Sequence, residues 1–244
     1  MRILLPPSEA KRTGGDGPPL ALTGPRREVG RAVKRLIRAD PDAAAAALLL
    51  PAAARAAALD ANRHLDRSPT MPALDRYDGV LYRALDAGTL TARQRRVAEE
   101  SVLIFSGLLG VVGGGEGVPL YRVPAAAVLP GIGQLGRWWR ARLRLDVGDE
   151  LVVDLRSTDY LPMWQPPARA VVVRVLNDAG KAISFTGKQG KGLLARELIR
   201  RPPRQADDVA AAGARLGCRP ELVELKGGRI GLDLLVGREG FEPP

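Results

Sequence analysis

Hydrophobic positions recur at helical spacing in several parts of the chain. Val29, Val33, Leu36 and Ile37 occupy positions i, i+4, i+7 and i+8 with basic residues around them, which predicts an amphipathic helix. Capping residues and prolines mark the bounds of further helices. These are predicted over residues 42–50, 51–65, 91–100, 134–145, 158–164, 190–200 and 207–216.

Short apolar runs bounded by glycine, proline or aspartate predict strands. They lie at residues 3–5, 102–105, 151–155, 170–176, 182–185, 222–225 and 230–236. The last two flank Lys226-Gly227-Gly228, which predicts a hairpin. Helices and strands alternate without an internal repeat, so the pattern predicts an α/β fold, with mixed α+β as the alternative.

The domain organisation is predicted from the absence of a linker within the chain. We expect one domain over residues 1–236, with a mixed sheet flanked by helices, and a disordered tail over 237–244.

Composition excludes several classes of protein. Hydrophobic residues make up 45% of the 244 residues and charged residues 26%, which is typical of a globular protein with a sizeable core. With one cysteine and one histidine, the chain cannot build a zinc finger, an iron–sulfur cluster or a Cys–His dyad. We therefore expect no metal site and no cofactor.

Charge and hydropathy predict partners and location. Thirty-seven lysines and arginines against 27 acidic residues give a net charge of +10, which favours polyanionic partners such as nucleic acid. The apolar start is too short for a signal peptide, and the longest apolar stretch, 43–54, is shorter than the about 20 residues that span a membrane. We expect a cytoplasmic protein without a membrane partner.

A glycine-lysine run is the first candidate for anion binding. Gly187-Lys188-Gln189-Gly190-Lys191-Gly192 follows a predicted strand and precedes a predicted helix, where backbone N–H groups and lysines bind phosphate. It does not meet the P-loop pattern, since Leu193 and Leu194 follow the last glycine. The alternative is a solvated basic turn.

A second candidate is Leu129-Pro130-Gly131-Ile132-Gly133, which leads into the predicted helix of residues 134–145. The pattern resembles the hairpin of a helix-hairpin-helix element, in which Gly131 and Gly133 would expose backbone amides to a DNA phosphate and Arg137 would extend the positive surface. Pro124 leaves only four residues for a first helix. A plain Pro-Gly turn into an amphipathic helix is the alternative.

Polar residues also collect at predicted strand and turn ends. Ser8–Lys11, Tyr77–Tyr82, Ser106-Gly107 and Asp154–Tyr160 all occupy such positions. A pocket of Lys, Tyr, Ser and Asp side chains can perform acid–base chemistry, and ordinary surface turns carry the same residue types.

Taken together, these segments resemble the YaaA family of peroxide stress proteins. The resemblance rests on six stretches in order: Pro7–Lys11, Tyr77–Tyr82, Phe105–Gly110, Tyr121-Arg122 before Trp138-Trp139, Asp154–Tyr160, and Ile183–Phe185 through Lys188, Lys191-Gly192 and Arg196. It extends to about residue 236.

The resemblance implies a cytoplasmic α/β protein that protects cells from hydrogen peroxide by limiting free iron and DNA damage. Family members bind DNA through a basic cleft with a helix-hairpin-helix element and have no assigned reaction. The residues expected to line the shared site are Lys11, Tyr82, Ser106, Arg122, Tyr160, Lys188, Lys191 and Arg196.

Two functional hypotheses follow. The first is a DNA-binding stress protein that contacts phosphates largely independently of sequence and has no permanent protein partner. The alternative is an enzyme that acts on a nucleotide or a damaged base, with Lys11 or Asp159 in acid–base roles. Direct iron storage is a weaker idea, because one histidine and one cysteine offer few ligands.

Overall fold

The amino-terminal strand lies near the centre of a sheet in the computed structural model, which describes residues 1–225, 228–237 and 241. The strands of the described residues are β1 (Arg2–Leu5), β2 (Met71–Pro72), β3 (Val102–Ser106), β4 (Gly110–Gly113), β5 (Gly117–Val118), β6 (Val128–Leu129), β7 (Gly133–Gln134), β8 (Val152–Asp154), β9 (Val171–Asn177), β10 (Arg219–Leu225) and β11 (Arg229–Val236).

Helices connect and cover these strands. They are α1 (Gly24–Ala39), α2 (Pro41–Ala47), α3 (Arg55–Arg63), α4 (Ala73–Arg76), α5 (Val80–Leu85), α6 (Ala92–Ser101), α7 (Leu135–Arg140), α8 (Ser184–Arg200) and α9 (Ala206–Ala214). Short 3-10 turns occupy Ala52–Ala54, Ala87–Thr89 and Thr158–Met163.

Seven strands form the main sheet in the order β10-β11-β9-β8-β1-β3-β4. The five inner strands run parallel, and an antiparallel strand closes each edge. Ile3, Leu4 and Leu5 of β1 are fully buried, as expected for a parallel strand covered on both faces. The predicted mixed α/β fold with a helix-flanked sheet is confirmed.

The prediction of a strand over residues 182–185 is wrong. Ala182 makes only an isolated bridge to Leu176, and a single helix, α8, begins at Ser184. The glycine-lysine run therefore lies inside a helix and does not form a phosphate-binding loop. Gly192 faces α5, where a methyl group would collide with the Leu81 carbonyl oxygen and lie 2.8 Å from Ala84 Cβ.

The helix-hairpin-helix prediction also requires correction. Residues 119–127 contain no helix, because a turn at Pro124–Ala127 leads directly into β6. Gly131 and Gly133, both with positive φ, turn the chain between β6 and β7, and α7 follows. The helix ends at Arg140 instead of residue 145. These residues form a β-hairpin that leads into a short helix.

The carboxyl-terminal hairpin is confirmed as β10 paired with β11. Residues 226–227 of its turn, and residues 238–240 and 242–244 of the predicted tail, lie outside the described residues. Within the described residues, no helix is long and apolar enough to cross a membrane.

The close contact between α5 and α8 generates a stability prediction. Gly192→Ala is expected to lower the free energy of unfolding by about 1–3 kcal/mol through overpacking, although alanine favours helix. Gly187→Ala is the matched control in the same helix, since its methyl group would meet Val175 Cβ at an ordinary 3.8 Å. We expect this control to stabilise by up to about 1 kcal/mol. Urea unfolding followed by circular dichroism measures both, and equal effects would contradict the account.

Candidate functional site

A cavity of about 870 Å³ opens at the carboxyl ends of β1 and β8. Residues 6–10 follow β1 and form one wall, and residues 155–161 follow β8 and form another. Strand β9, the start of α5 and the first turns of α8 complete it, with Arg122, residues 124–126 and Leu49 at its margin.

The order of the strands explains why the cavity lies there. From β1 the chain proceeds to β3 and β4 on one side of the sheet, and it later returns to β8 on the other side of β1. The loops that leave β1 and β8 therefore diverge. In open α/β sheets, a crevice forms at such a reversal, outside the carboxyl ends of the strands.

All four arginines of the cavity wall are paired with carboxylates. The pairs are Arg83 with Asp78 at 3.3 Å, Arg122 with Glu9 at 3.5 Å, Arg156 with Asp154 at 2.7 Å, and Arg174 with Asp233 at 2.5 Å. Arg156 is the most firmly held, because its side chain is fully buried and also donates to two carbonyl oxygens. These arginines contribute more to structure than to free positive charge.

The two lysines of α8 differ, and only Lys188 supplies free positive charge. Lys188 is exposed and makes no hydrogen bond or ion pair with any described residue. Lys191 donates to the Arg156 carbonyl oxygen at 2.9 Å. Burial lowers the pKa of Lys191 to about 8, Asp154 partly opposes that shift, and Arg156 adds to it.

The start of α8 adds backbone donors to this wall. Its N-cap is Ile183, whose side chain accepts no hydrogen bond, and its first turn contains no acidic residue. The first N–H groups of a helix lack partners within the helix and carry partial positive charge. Ile183, Ser184 and Gly187 line the cavity.

A buried cluster of tyrosines lies behind the wall formed by residues 8–10. The Tyr77 hydroxyl lies 2.7 Å from that of Tyr121, which lies 2.5 Å from Ser106 Oγ. The Lys11 ammonium sits 4.2 Å from the centre of the Tyr121 ring and donates to the Ser8 carbonyl oxygen. This is the geometry of a cation–π contact.

Burial governs the ionisation of this cluster. It lowers the pKa of Lys11 to about 8; Glu9 opposes the shift, and Arg122 and Arg76 add to it. Burial raises the pKa of Tyr77, Tyr82, Tyr121 and Tyr160 above the ordinary tyrosine value. The phenols therefore stay protonated at neutral pH, while the Lys11 amine loses its proton near pH 8, well below the ordinary range of a lysine.

Arg76 holds the loop that carries Lys11. Its buried guanidinium donates to the carbonyl oxygens of Arg12, Gly14, Pro69 and Val118. Four carbonyl acceptors compensate the cost of burying this charge. They tie the segment after β1 to the segment before β2.

Five of the residues predicted for the site line the cavity: Tyr82, Arg122, Tyr160, Lys188 and Lys191. Lys11 and Ser106 lie in the cluster behind it. Arg196 is placed elsewhere, where its guanidinium donates to the carbonyl oxygens of Leu85 and Asp86 and to Thr89 Oγ1. This residue ties α8 to the end of α5.

The predicted hairpin residues Gly131, Gly133 and Arg137 are exposed and lie outside the cavity wall. They are nevertheless connected to it. Gln134 Nε2 donates to the Ala125 carbonyl oxygen at 2.8 Å, and Ala125 lines the cavity. The hairpin therefore adjoins the cavity margin.

Glu9 is a cavity residue that the sequence reasoning did not single out. Its Oε2 is buried and accepts no hydrogen bond from any described residue, since the Arg122 Nε lies 3.5 Å away. The feature of the sequence that indicates a role for Glu9 is its position two residues before Lys11, in the segment that follows the first strand.

The single cysteine does not belong to the site. Cys218 is a buried free thiol, and burial raises its pKa to about 11. Thiolate, not thiol, is the form that reacts with peroxide. Among the described residues, no group of three or more His, Cys, Asp or Glu side chains is placed to hold a metal ion.

Comparisons with known proteins cover most of the chain. Residues 1–216 match the family described as peroxide stress protein YaaA. A UPF0246 protein of Streptomyces coelicolor is 37% identical over 97% of this chain and 98% of its own. A UPF0246 protein of Corynebacterium efficiens is 38% identical over 92% of this chain and 96% of its own. The family match includes every segment of the cavity wall.

The buried amines generate a titration prediction. We expect two of the six lysines, Lys11 and Lys191, to titrate near pH 8 in nuclear magnetic resonance spectra of the ¹³C-methylated protein. Lys11→Met and Lys191→Met should each remove one of these resonances. Two titrations near pH 10 would contradict the burial of both amines.

The lowered pKa of Lys11 makes the free energy of unfolding depend on pH. A lowered pKa in the folded state means that the folded protein binds fewer protons than the unfolded chain between about pH 8 and 10.5. The free energy of unfolding of the wild type should therefore rise relative to that of Lys11→Met over this range. A difference that stays constant or falls would show that Lys11 is not desolvated.

The thiol generates a separate prediction. Native Cys218 should react with Ellman's reagent at pH 8 roughly 100-fold more slowly than in the protein unfolded in guanidinium chloride, because burial suppresses the thiolate. Equal rates in the two states would show that the thiol is accessible and reactive.

Proposed function

The chain belongs to the family of peroxide stress proteins named YaaA, and on that premise we propose that it binds the phosphate backbone of DNA at the rim of the cavity. Membership confirms the resemblance drawn from the six sequence segments and supports a role in the peroxide stress response. DNA binding is the molecular activity that we assign to that role.

The presence of Lys188, Lys191 and the first turn of α8 in the wall of one cavity carries the proposal. Arg122, which lies up to 69 positions away along the chain and is paired with Glu9, belongs to the same wall at one end of the sheet. Lys188 and the N–H groups of the first turn of α8 are free to contact an anion. Lysines and backbone amides are common donors to DNA phosphates.

The hairpin formed by β6 and β7 supports a second contact. Gly131 and Gly133 are exposed. The side chains of Arg137 and Arg140 on α7 form no hydrogen bond or ion pair with another described residue. The hairpin adjoins the cavity margin through Ala125. A backbone running across the cavity can therefore extend onto the hairpin. Contacts of this kind carry no sequence information, so binding is expected to be largely sequence-independent.

Another basic surface competes with this assignment. The outer face of α1 exposes Arg27, Arg31, Arg35 and Arg38 in the described chain. The four arginines recur at helical spacing on one helix, and this pattern is typical of a helix face that is simply solvated. We favour the cavity because it is a concave site that brings the lysines and the first backbone donors of α8 together with groups from other parts of the chain, whereas these arginines lie along a single helix.

The alternative function is an enzyme that acts on a nucleotide or a damaged base. The observation that favours it is the buried Lys11 amine beside the Tyr77, Tyr121 and Ser106 hydroxyl groups. Incubation with nucleotides and lesion-bearing oligonucleotides tests it. Product formation that is lost in Lys11→Met would establish the alternative, and absence of product would leave binding as the activity.

The DNA proposal predicts a steep salt dependence. Affinity for a fluorescein-labelled duplex should fall with a log–log slope of about −4 to −5 if about five phosphates are contacted. Lys188→Ala should weaken binding at every sequence tested and reduce the magnitude of the slope by about 1. Fluorescence anisotropy between low and physiological salt measures both quantities.

Lys34→Ala is the matched control, because Lys34 lies on α1 and pairs with Asp66 at 2.9 Å, away from the cavity wall. We expect its affinity and slope to equal those of the wild type. A slope near zero, or equal losses in Lys188→Ala and Lys34→Ala, would contradict binding at the cavity.

A further inference from the structure

The wall of the cavity combines two kinds of chemistry, and the combination indicates the character of a ligand. Helix α8 presents Ser184, Lys188 and Lys191, which suit an anionic group. Apolar and aromatic side chains, among them Leu81, Tyr82 and Leu155, line the same cavity. Duplex backbone alone needs only the cationic and polar groups, so the apolar groups have no role in the phosphate contacts described above.

Exposed apolar side chains lie in, or directly beside, segments of the cavity wall. Leu49 is 59% exposed and Leu161 is 37% exposed, and both line the cavity. Phe185 is 67% exposed and directly follows Ser184 of the wall. Large exposed apolar side chains grouped around a concave site indicate a ligand with an apolar face.

Leu49 also has a strained backbone. It follows the last turn of α2 with φ of 53°, and Leu49 and Leu50 donate to the Ala46 and Ala45 carbonyl oxygens. This is a Schellman cap, whose left-handed position glycine fills at lowest cost. The fold alone therefore favours glycine at position 49, while the chain places a leucine side chain at the cavity.

Glu9 supplies a polar acceptor in the cavity wall. Its side chain is 35% exposed, and its one ion pair among the described residues joins Oε2 to the Arg122 Nε at 3.5 Å. A carboxylate accepts several hydrogen bonds, so Glu9 suits a ligand that brings an N–H donor. The same ligand must therefore carry an anion, a flat apolar face and an N–H edge.

We propose that the cavity binds one nucleotide, with its phosphate at the start of α8, its base against the Leu49 side of the wall and an N–H group of the base donating to Glu9. The volume of about 870 Å³ lies within the range of small-ligand sites. The nucleotide has two possible sources, a free nucleoside monophosphate or a single unit that leaves the stack of a DNA duplex. The second source rests on the proposed DNA-binding function, and the first does not.

Calorimetry with dAMP and with inorganic phosphate tests the free ligand. We expect dAMP to bind at least about tenfold more tightly than phosphate, because the base adds apolar and polar contacts. Leu49→Gly should abolish most of that advantage while the Tm stays equal or rises, since glycine suits the cap. Glu9→Gln should lower the affinity for dAMP relative to that for phosphate.

A duplex that carries 2-aminopurine opposite a mismatch tests the second source. The fluorescence of 2-aminopurine rises when the base leaves the stack, and the anisotropy of a fluorescein label on the same duplex reports binding independently. We expect a fluorescence rise with the wild type that is lost in Leu49→Gly at unchanged anisotropy. Leu222→Ala is the control, since Leu222 is 43% exposed on β10 and lies outside the cavity wall.

The outcomes separate the two proposals. Response to dAMP without duplex binding supports the nucleotide site and overturns the DNA function. Duplex binding without a response to dAMP or 2-aminopurine overturns the nucleotide site and leaves the DNA function standing. Equal affinity for dAMP and phosphate, or equal losses in Leu49→Gly and Leu222→Ala, also overturns the nucleotide site.

Discussion

The parallel pairing of β1 with β8 is the constraint on which the rest of the site depends. Leu4 pairs with Asp154, so both strands end at the same edge of the sheet. The chain then leaves in opposite directions, and the two loops form facing walls. Glu9, Lys11 and Tyr160 lie on these two loops, and Lys188 and Lys191 lie on α8 beside them.

Desolvation divides the charged residues of the cavity into two groups. The arginines are paired with carboxylates and so contribute little free charge. The lysines act differently: Lys188 remains in solvent, and burial lowers the pKa of Lys11 and Lys191. A net charge of +10 therefore overstates the positive charge available at the cavity.

Local patterns predicted most of the fold and part of the site. The strand at residues 3–5 and the polar segment after it were identified because burial and strand ends leave a local signature. The pattern did not predict the start of α8, because a segment with glycines at 187, 190 and 192 is typical of a loop. Only contacts with distant parts of the chain explain these glycines within a helix. Gly192 serves the close contact with α5. Arg196 was assigned to the site for a similar reason, since the acceptors that bind it lie over 100 positions away.

Hydrogen–deuterium exchange of the protein with and without duplex DNA tests the central claim most directly. The account predicts that DNA slows exchange in residues 6–10, 122–126, 155–161 and 183–191, and leaves α1 unchanged. Slowed exchange centred on α1, with the cavity segments unaffected, would contradict it.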